Sequence, residues 1–252
     1  MNHIATFQAI TDDLTGKDKI AKVIQYALRV VRLNSSNPTL IATLAALSVY
    51  RQLLRAGTVP FRLIRLATWL KNYIKGKAKI DEPFMYMLGN LYYAIMDESL
   101  LLYKLGMLAT KKSAEIGGYY TGKKVFNFLE DHECYAWFWI IVQGMMRDWE
   151  QLSKLRRERG IVKLELGVLE RTGKVVGGYD KDAINEKKET LKVLDDKIRL
   201  LWVNFVRLGC DLFYDSVFVF HLKLDKKWKP FHYGLGVMSG LLGCWKVWEA
   251  KM

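Results

Sequence analysis

Acidic residues are missing from a long stretch of this chain: none occurs between Asp18 and Asp81. The interval holds Lys19, Lys22, Arg29, Arg32, Arg51, Arg55, Arg62, Arg65, Lys71, Lys75, Lys77 and Lys79, or 12 positive charges out of a net +13 for the chain. Such asymmetry points to a polyanionic partner, either phosphodiester or anionic lipid. Cysteine is scarce too. Cys134, Cys210 and Cys244 are an odd set without paired spacing, so neither a disulfide framework nor a zinc site is expected, and the thiols read as reduced. MNHIATFQAITDD lacks an apolar run of signal-peptide length, and the ending EAKM is no peroxisomal or endoplasmic-reticulum address.

Long hydrophobic runs are also wanting. A bilayer span needs about 20 mostly apolar residues. The best stretch, PFHYGLGVMSGLLGCW from Pro230 to Trp245, has 16 without a formal charge, about 24 Å as a helix. Lys226, Lys227, Lys229 and Lys246 flank it, with Trp228, Tyr233, Trp245 and Trp248 at its ends, as in an interface-anchored span. Gly236 with Gly240, and Ser239 with Gly243, give small-residue spacings that favour close helix packing. CYAWFWIIVQGMM and the run from Pro83 to Met96 are shorter still, and read as core or interfacial helices.

Catalytic signatures are equally thin. GGYYTGKK, Gly117 to Lys124, approaches a phosphate loop but has Lys124 where a hydroxyl must hold Mg²⁺; a helix connector is the simpler reading. His3, His132, His221 and His232 share no metal spacing, and no nucleophile motif occurs. Arg207, Asp211 and Asp215 fall at i, i+4 and i+8, a salt-bridged stripe before an acid–base pair. No enzyme, cofactor or metal is expected. Nucleic-acid binding is not expected either, since no helix-turn-helix or zinc module is recognisable.

What is present is helical periodicity. No useful alternating pattern appears, and Pro38, Pro60, Pro83 and Pro230 each precede a periodic stretch, where proline suits a first helical turn. The pattern predicts an all-α chain with helices near 7–32 (broken before Gly16), 38–56, 60–75, 83–109, 124–158, 184–222 and 230–250. Four regions follow: basic amphipathic helices over 1–80, an apolar and aromatic helical region over 81–152, a charged connection over 153–199, and a C-terminal helical pair over 200–252. With 51 % hydrophobic residues, 8 Trp and 26 % charge, the chain reads as a membrane-associated helical bundle, with a C-terminal membrane helix or helical hairpin.

Two basic helices carry the functional reading. In GKDKIAKVIQYALRVVR, Ile20, Val23, Ile24, Ala27, Leu28 and Val31 share one face, while Asp18, Lys22, Gln25, Arg29 and Arg32 share the other. Thr15 and Asp18 suit a capping box. In TVPFRLIRLATWLKNYIK, Phe61, Leu63, Ile64, Leu66, Ala67, Leu70, Tyr73 and Ile74 form an apolar sector beside Arg62, Arg65, Lys71 and Lys75, with Trp69 near the boundary. Such a helix fits a membrane interface, or else a bundle with a solvated basic face.

Gly16, Lys17, Asp18, Lys19, Gln25, Tyr26 and Arg29 resemble the N-terminal signature of the peroxisomal biogenesis factor 11 family. The likeness resumes in YAWFWIIVQGMMRDWEQL and in CDLFYDSVFVF…GLGVMSGLLGCWKVW. The resemblance implies a peroxisomal membrane protein that elongates the organelle ahead of fission, by inserting a basic amphipathic helix into one leaflet. It implies as partners an anionic phospholipid membrane, further copies of the chain and the dynamin-type fission machinery. The lipid-binding residues expected are Lys17, Lys19, Lys22, Arg29, Arg32, Phe61, Arg62, Ile64, Arg65, Leu66, Trp69, Leu70 and Lys71. Gly236, Ser239, Gly240 and Gly243 are expected in self-association. A pore for small metabolites is the alternative, with Asp97, Glu98, Lys104, Arg207 and Asp211 as its polar lining.

Overall fold

The computed structural model describes residues 3–108, 122–176 and 181–251. Its elements in chain order are α1 (His3–Asp12), α2 (Leu14–Arg32), α3 (Pro38–Arg55), α4 (Val59–Ile74), α5 (Glu82–Lys104), α6 (Gly122–Val176), α7 (Lys181–Val219) and α8 (Lys229–Lys251). No strand occurs among the described residues. The all-α expectation holds, and most helix ends fall within a few residues of the periodicity.

Local chemistry sets the starts. The Asp13 side chain accepts from Gly16 N at the head of α2, Asn37 accepts from Thr39 N at α3, and Asp81 accepts from Phe84 N at α5. These are N-caps that satisfy otherwise orphaned amides. The expected Thr15–Asp18 capping box does not form, because Asp13 takes the capping position and Asp18 is drawn to α3. Gly16 is required at this corner: a Cβ there would lie 2.1 Å from the Ile10 carbonyl oxygen.

The frame is an antiparallel hairpin of α6 and α7. Its base is covered by α5 on one side and by α8 on the other, and α2 lies across α8 with α3 beside it. The far half of the hairpin contains the segment read from sequence as a charged connection. There the two helices simply continue, joined by Arg159–Asp195 (2.5 Å), Lys187–Glu165 (2.6 Å) and Lys188–Glu170 (3.7 Å). Lys, Arg, Glu and Leu are good helix formers, so strong charge does not interrupt the helix. α4 stands apart, resting chiefly on α5. Gly57 and Gly76 bound it at φ +80° and +67°, the left-handed region that glycine enters without strain.

Candidate membrane interface

Beside buried apolar residues such as Leu100, Ile141 and Leu152, the bundle interior holds many polar and charged side chains, while large apolar side chains lie outside. Among its most buried side chains are Asp18, Lys22, Gln25, Gln52, Asp97, Asn204, Asp211 and Ser239. None of the 8 tryptophans is buried, and Trp139, Trp149, Trp228 and Trp245 are each about half exposed. Buried polar groups are costly unless paired, so the pairing is the first thing to establish.

From α2, Lys22 Nζ reaches Asp211 Oδ1 on α7 at 2.6 Å and Ser239 Oγ on α8 at 2.8 Å. Arg207 extends this line to Asp211 (3.5 Å) and to Asn204 Oδ1. Asn204 in turn donates to Asp148 on α6 and accepts from Lys246 on α8. On the other side of α2, Asp18 accepts from Arg51 Nε at 3.0 Å, while Arg51 also donates to Gln25. Arg55 then bridges from Asp18 (3.9 Å) to Asp97 on α5 (3.0 Å), which also accepts from Gln52. One polar spine thus ties α2 to α3, α5, α7 and α8.

Electrostatics follow from this geometry. Burial alone would raise the Asp18 carboxyl, but Arg51, Lys19 and Arg55 more than offset it and hold the group at about 2. Asp211 is held below the usual carboxylate range in the same way: Lys22 and Arg207 overcome its burial. Asp215 Oδ2 has no hydrogen-bond partner, and burial and the neighbouring Asp211 push its carboxyl well above the usual range, with Lys22 offsetting only part. Glu133, half-buried near Asp97, is raised to about 7 by burial and by that charge, with Arg55 and Lys104 offsetting only part.

The signature residues of α2 therefore face inward. Tyr26 packs edge-on against Tyr214 with ring centroids 4.9 Å apart, and Arg29 donates to the Tyr214 hydroxyl. Lys19, Lys22 and Arg29, expected among the lipid ligands, are drawn into the bundle; Arg32 is exposed and Lys17 partly so. The reason is that Asp18, Asp211 and Tyr214 offer partners that water-facing cations would lack. Conversely part of the apolar face of α2 looks outward, with Ile24 and Val31 about half exposed, while Val23 packs against Gly240 of α8.

The small face of α8, expected to serve self-association, is occupied by α2 of the same chain. A Cβ on Gly236 would come within 2.5 Å of Tyr26, one on Gly240 within 2.7 Å of Val23, and one on Gly243 within 2.9 Å of Lys19. Small residues here let two helices of one molecule approach closely. No helix among the described residues is long and apolar enough to cross a membrane. α8 is a packed bundle helix with one apolar edge.

α4 behaves differently. It contains no buried residue. Phe61, Ile64 and Ile74 are 71 %, 64 % and 83 % exposed, and Leu70 is about half exposed. Arg65 and Lys71 are exposed beside them, while Leu66 and Trp69 lie partly covered. Its inner side is fixed by three devices: Glu98 Oε1 of α5 accepts from the Thr58 and Val59 amides (2.7 and 3.1 Å), Arg62 donates to the Asn90 carbonyl, and Trp69 stacks on Phe84 at 3.9 Å. An acid at a helix start also suits the helix dipole.

The residues weighed as a pore lining are engaged with one another or with backbone: Asp97 with Arg55, Glu98 with the head of α4, Lys104 with Gln52, and Arg207 with Asp211. The first five residues of the near-phosphate loop, Gly117 to Thr121, lie outside the described residues. Sequence reasoning missed Arg51, Arg55, Gln52, Asn204 and Tyr214 as partners of the signature, since nothing local marks them.

The chain matches the profile of Peroxisomal biogenesis factor 11 (PEX11) over residues 2–248. It is 23 % identical to the Peroxisomal membrane protein PEX25 of Saccharomyces cerevisiae, in an alignment covering 98 % of this chain and 79 % of that protein. No solved structure matches. The chain belongs to the peroxisomal biogenesis factor 11 family, whose members are peroxisomal membrane proteins, and its place is the peroxisomal membrane.

Proposed function

We propose that this family member elongates the peroxisomal membrane ahead of fission, with α4 as the element that enters the cytosolic leaflet. The observation that carries the reading is the outward apolar sector of α4, flanked by cations and free of any other cover among the described residues. Burying an exposed side chain such as Phe61 or Ile64 in hydrocarbon yields about 1.5–3 kcal/mol. Arg65, Lys71 and Lys75 add about 1 kcal/mol each against an anionic surface. Insertion needs no unfolding, because the face to be buried already points away from α5. A wedge in one leaflet expands that leaflet's area and favours curvature.

The remaining bundle acts as the platform. Its polar spine ties α2, α3, α5, α7 and α8 together beside a buried apolar core that includes Leu100, Ile141 and Leu152, leaving other apolar faces to rest against lipid, as polar groups in membrane-associated bundles pair inward. Self-association and contact with dynamin-type fission machinery belong to the same proposal by family likeness, with no residues assigned. A metabolite pore is less well supported, because its lining candidates are bound to each other or to backbone. The test is a peptide of residues 58–76, followed by circular dichroism with and without anionic vesicles. Helix formation only on vesicles, weakening as salt rises, is expected. Indifference to vesicles would end this reading.

A further inference from the structure

Between α1, α2 and α8 runs an open groove of about 620 Å³, lined among others by Phe7, Ile24, Leu241, Trp245, Trp248 and Glu249. The lining is otherwise apolar, and the one charged group is already engaged. Glu249 Oε1 accepts from Trp245 Nε1 at 2.8 Å and Oε2 from Arg199 at 3.4 Å. A docked peptide would leave its polar groups against hydrocarbon walls, whereas a hydrocarbon chain loses nothing there. The size falls in the range of sites that enclose a small ligand.

We infer that this groove takes one acyl chain of a membrane phospholipid, drawn sideways from the leaflet on which the bundle rests. Ile24 and Leu241, which wall the groove, also belong to the outward apolar faces of α2 and α8, so the groove is continuous with the surface turned to lipid. At the peroxisomal membrane acyl chains are the most abundant apolar solute. Trp245 and Trp248 supply the amphipathic rings that sit at such a boundary. The inference rests on the bundle lying against lipid, but not on α4 being the wedge.

The test uses the full chain reconstituted in vesicles of phosphatidylcholine and phosphatidylserine, doped with a phosphatidylcholine that carries a diazirine in mid-chain. After photolysis, adducts are mapped by peptide mass spectrometry. Labelling is expected at Ile24, Leu241 and Trp245, and should fall about tenfold in Ile24→Trp and Leu241→Trp, which fill the groove, an effect of roughly two methylenes' burial. Labelling of α4 and the melting temperature should not change in either variant. If α4 is labelled and the groove is not, the groove inference fails while the wedge stands. Labelling in the groove but not on α4 would do the reverse, and labelling on neither would overturn both. Groove labelling that survives both tryptophan variants would also refute the inference.

Discussion

α2 and α4 look alike in sequence, each a basic amphipathic helix with an apolar stripe, yet the fold uses them in opposite ways. α2 turns its charges inward, onto Asp211, Arg51 and Tyr214, and shows its apolar edge. α4 leaves Arg65 and Lys71 outside with Phe61 and Ile64. The difference lies in the neighbours. Two carboxylates stand ready for α2, its own Asp18 facing α3 and Asp211 on α7, and the glycine edge of α8 lets it approach. α5 meets α4 with Glu98 at its first turn and with the Asn90 carbonyl for Arg62, leaving Arg65 and Lys71 exposed. A cationic face thus becomes structural where buried acids meet it, and remains available to lipid where none do.

The sharpest way to break the comparison is at the buried pair. Lys22→Met removes the cation that meets Asp211, and losing one partner of a buried pair costs about 3–5 kcal/mol. Since Arg207 still reaches Asp211 at 3.5 Å, the lower end is expected, read as a fall in melting temperature of the detergent-solubilised chain. Adding Asp211→Leu should recover part of the loss, because the buried carboxylate is then gone, while Arg207 keeps its bonds to Asn204 but loses its counter-ion. Next comes the close crossing of α2 and α8. Gly240→Leu forces the helices apart at Val23 and should cost about 1–3 kcal/mol, the usual range for overpacking, visible as faster proteolysis of α2.

A smaller effect comes from pH. Glu133 is raised to about 7 from 4.5, so its contribution to stability is complete below 4.5 and is lost as pH rises towards 7. Asp18, lowered to about 2 from 3.8, contributes above 3.8 and loses this as pH falls towards 2. Glu133→Gln should therefore flatten the melting-temperature profile between pH 4.5 and 7 and leave the acid limb unchanged. Smallest is neutralising Arg65 and Lys71 to Gln. It should leave stability within about 0.5 kcal/mol and weaken binding to anionic vesicles by about 1 kcal/mol per charge, checked by sedimentation with vesicles.

Much of the fold was legible: prolines and apolar periodicity placed α3, α4 and α8 and the start of α5 almost to the residue, while α5 ends at Lys104, short of the expected 109. The direction in which α2 faces was not. Periodicity identifies an apolar stripe but does not say whether it looks inward, and in α2 part of it looks outward because the acids that meet its cations lie 189 residues away in one case. The signature Gly16, Asp18, Gln25, Tyr26 and Arg29 was recognisable as a pattern, yet its work became apparent only beside Ile10, Arg51, Gly236 and Tyr214. A small-residue edge on α8 was equally visible, but spacing alone does not reveal whether the close neighbour is a second copy or α2. The segment around 153–199 was read as a connection because its charge is high; ion pairs across the hairpin join the helical stretches 153–176 and 181–199 on its two sides.

The central claim is that α4 acts on the membrane while α2 holds the bundle. It is tested most directly by comparing Ile64→Glu with Lys22→Met in the full chain, measuring melting temperature and the tubulation of anionic vesicles by electron microscopy. Ile64→Glu should melt like the unaltered chain and form no tubules, whereas Lys22→Met should melt markedly lower. An Ile64→Glu protein that still tubulates vesicles, or one that unfolds as Lys22→Met does, would contradict the claim.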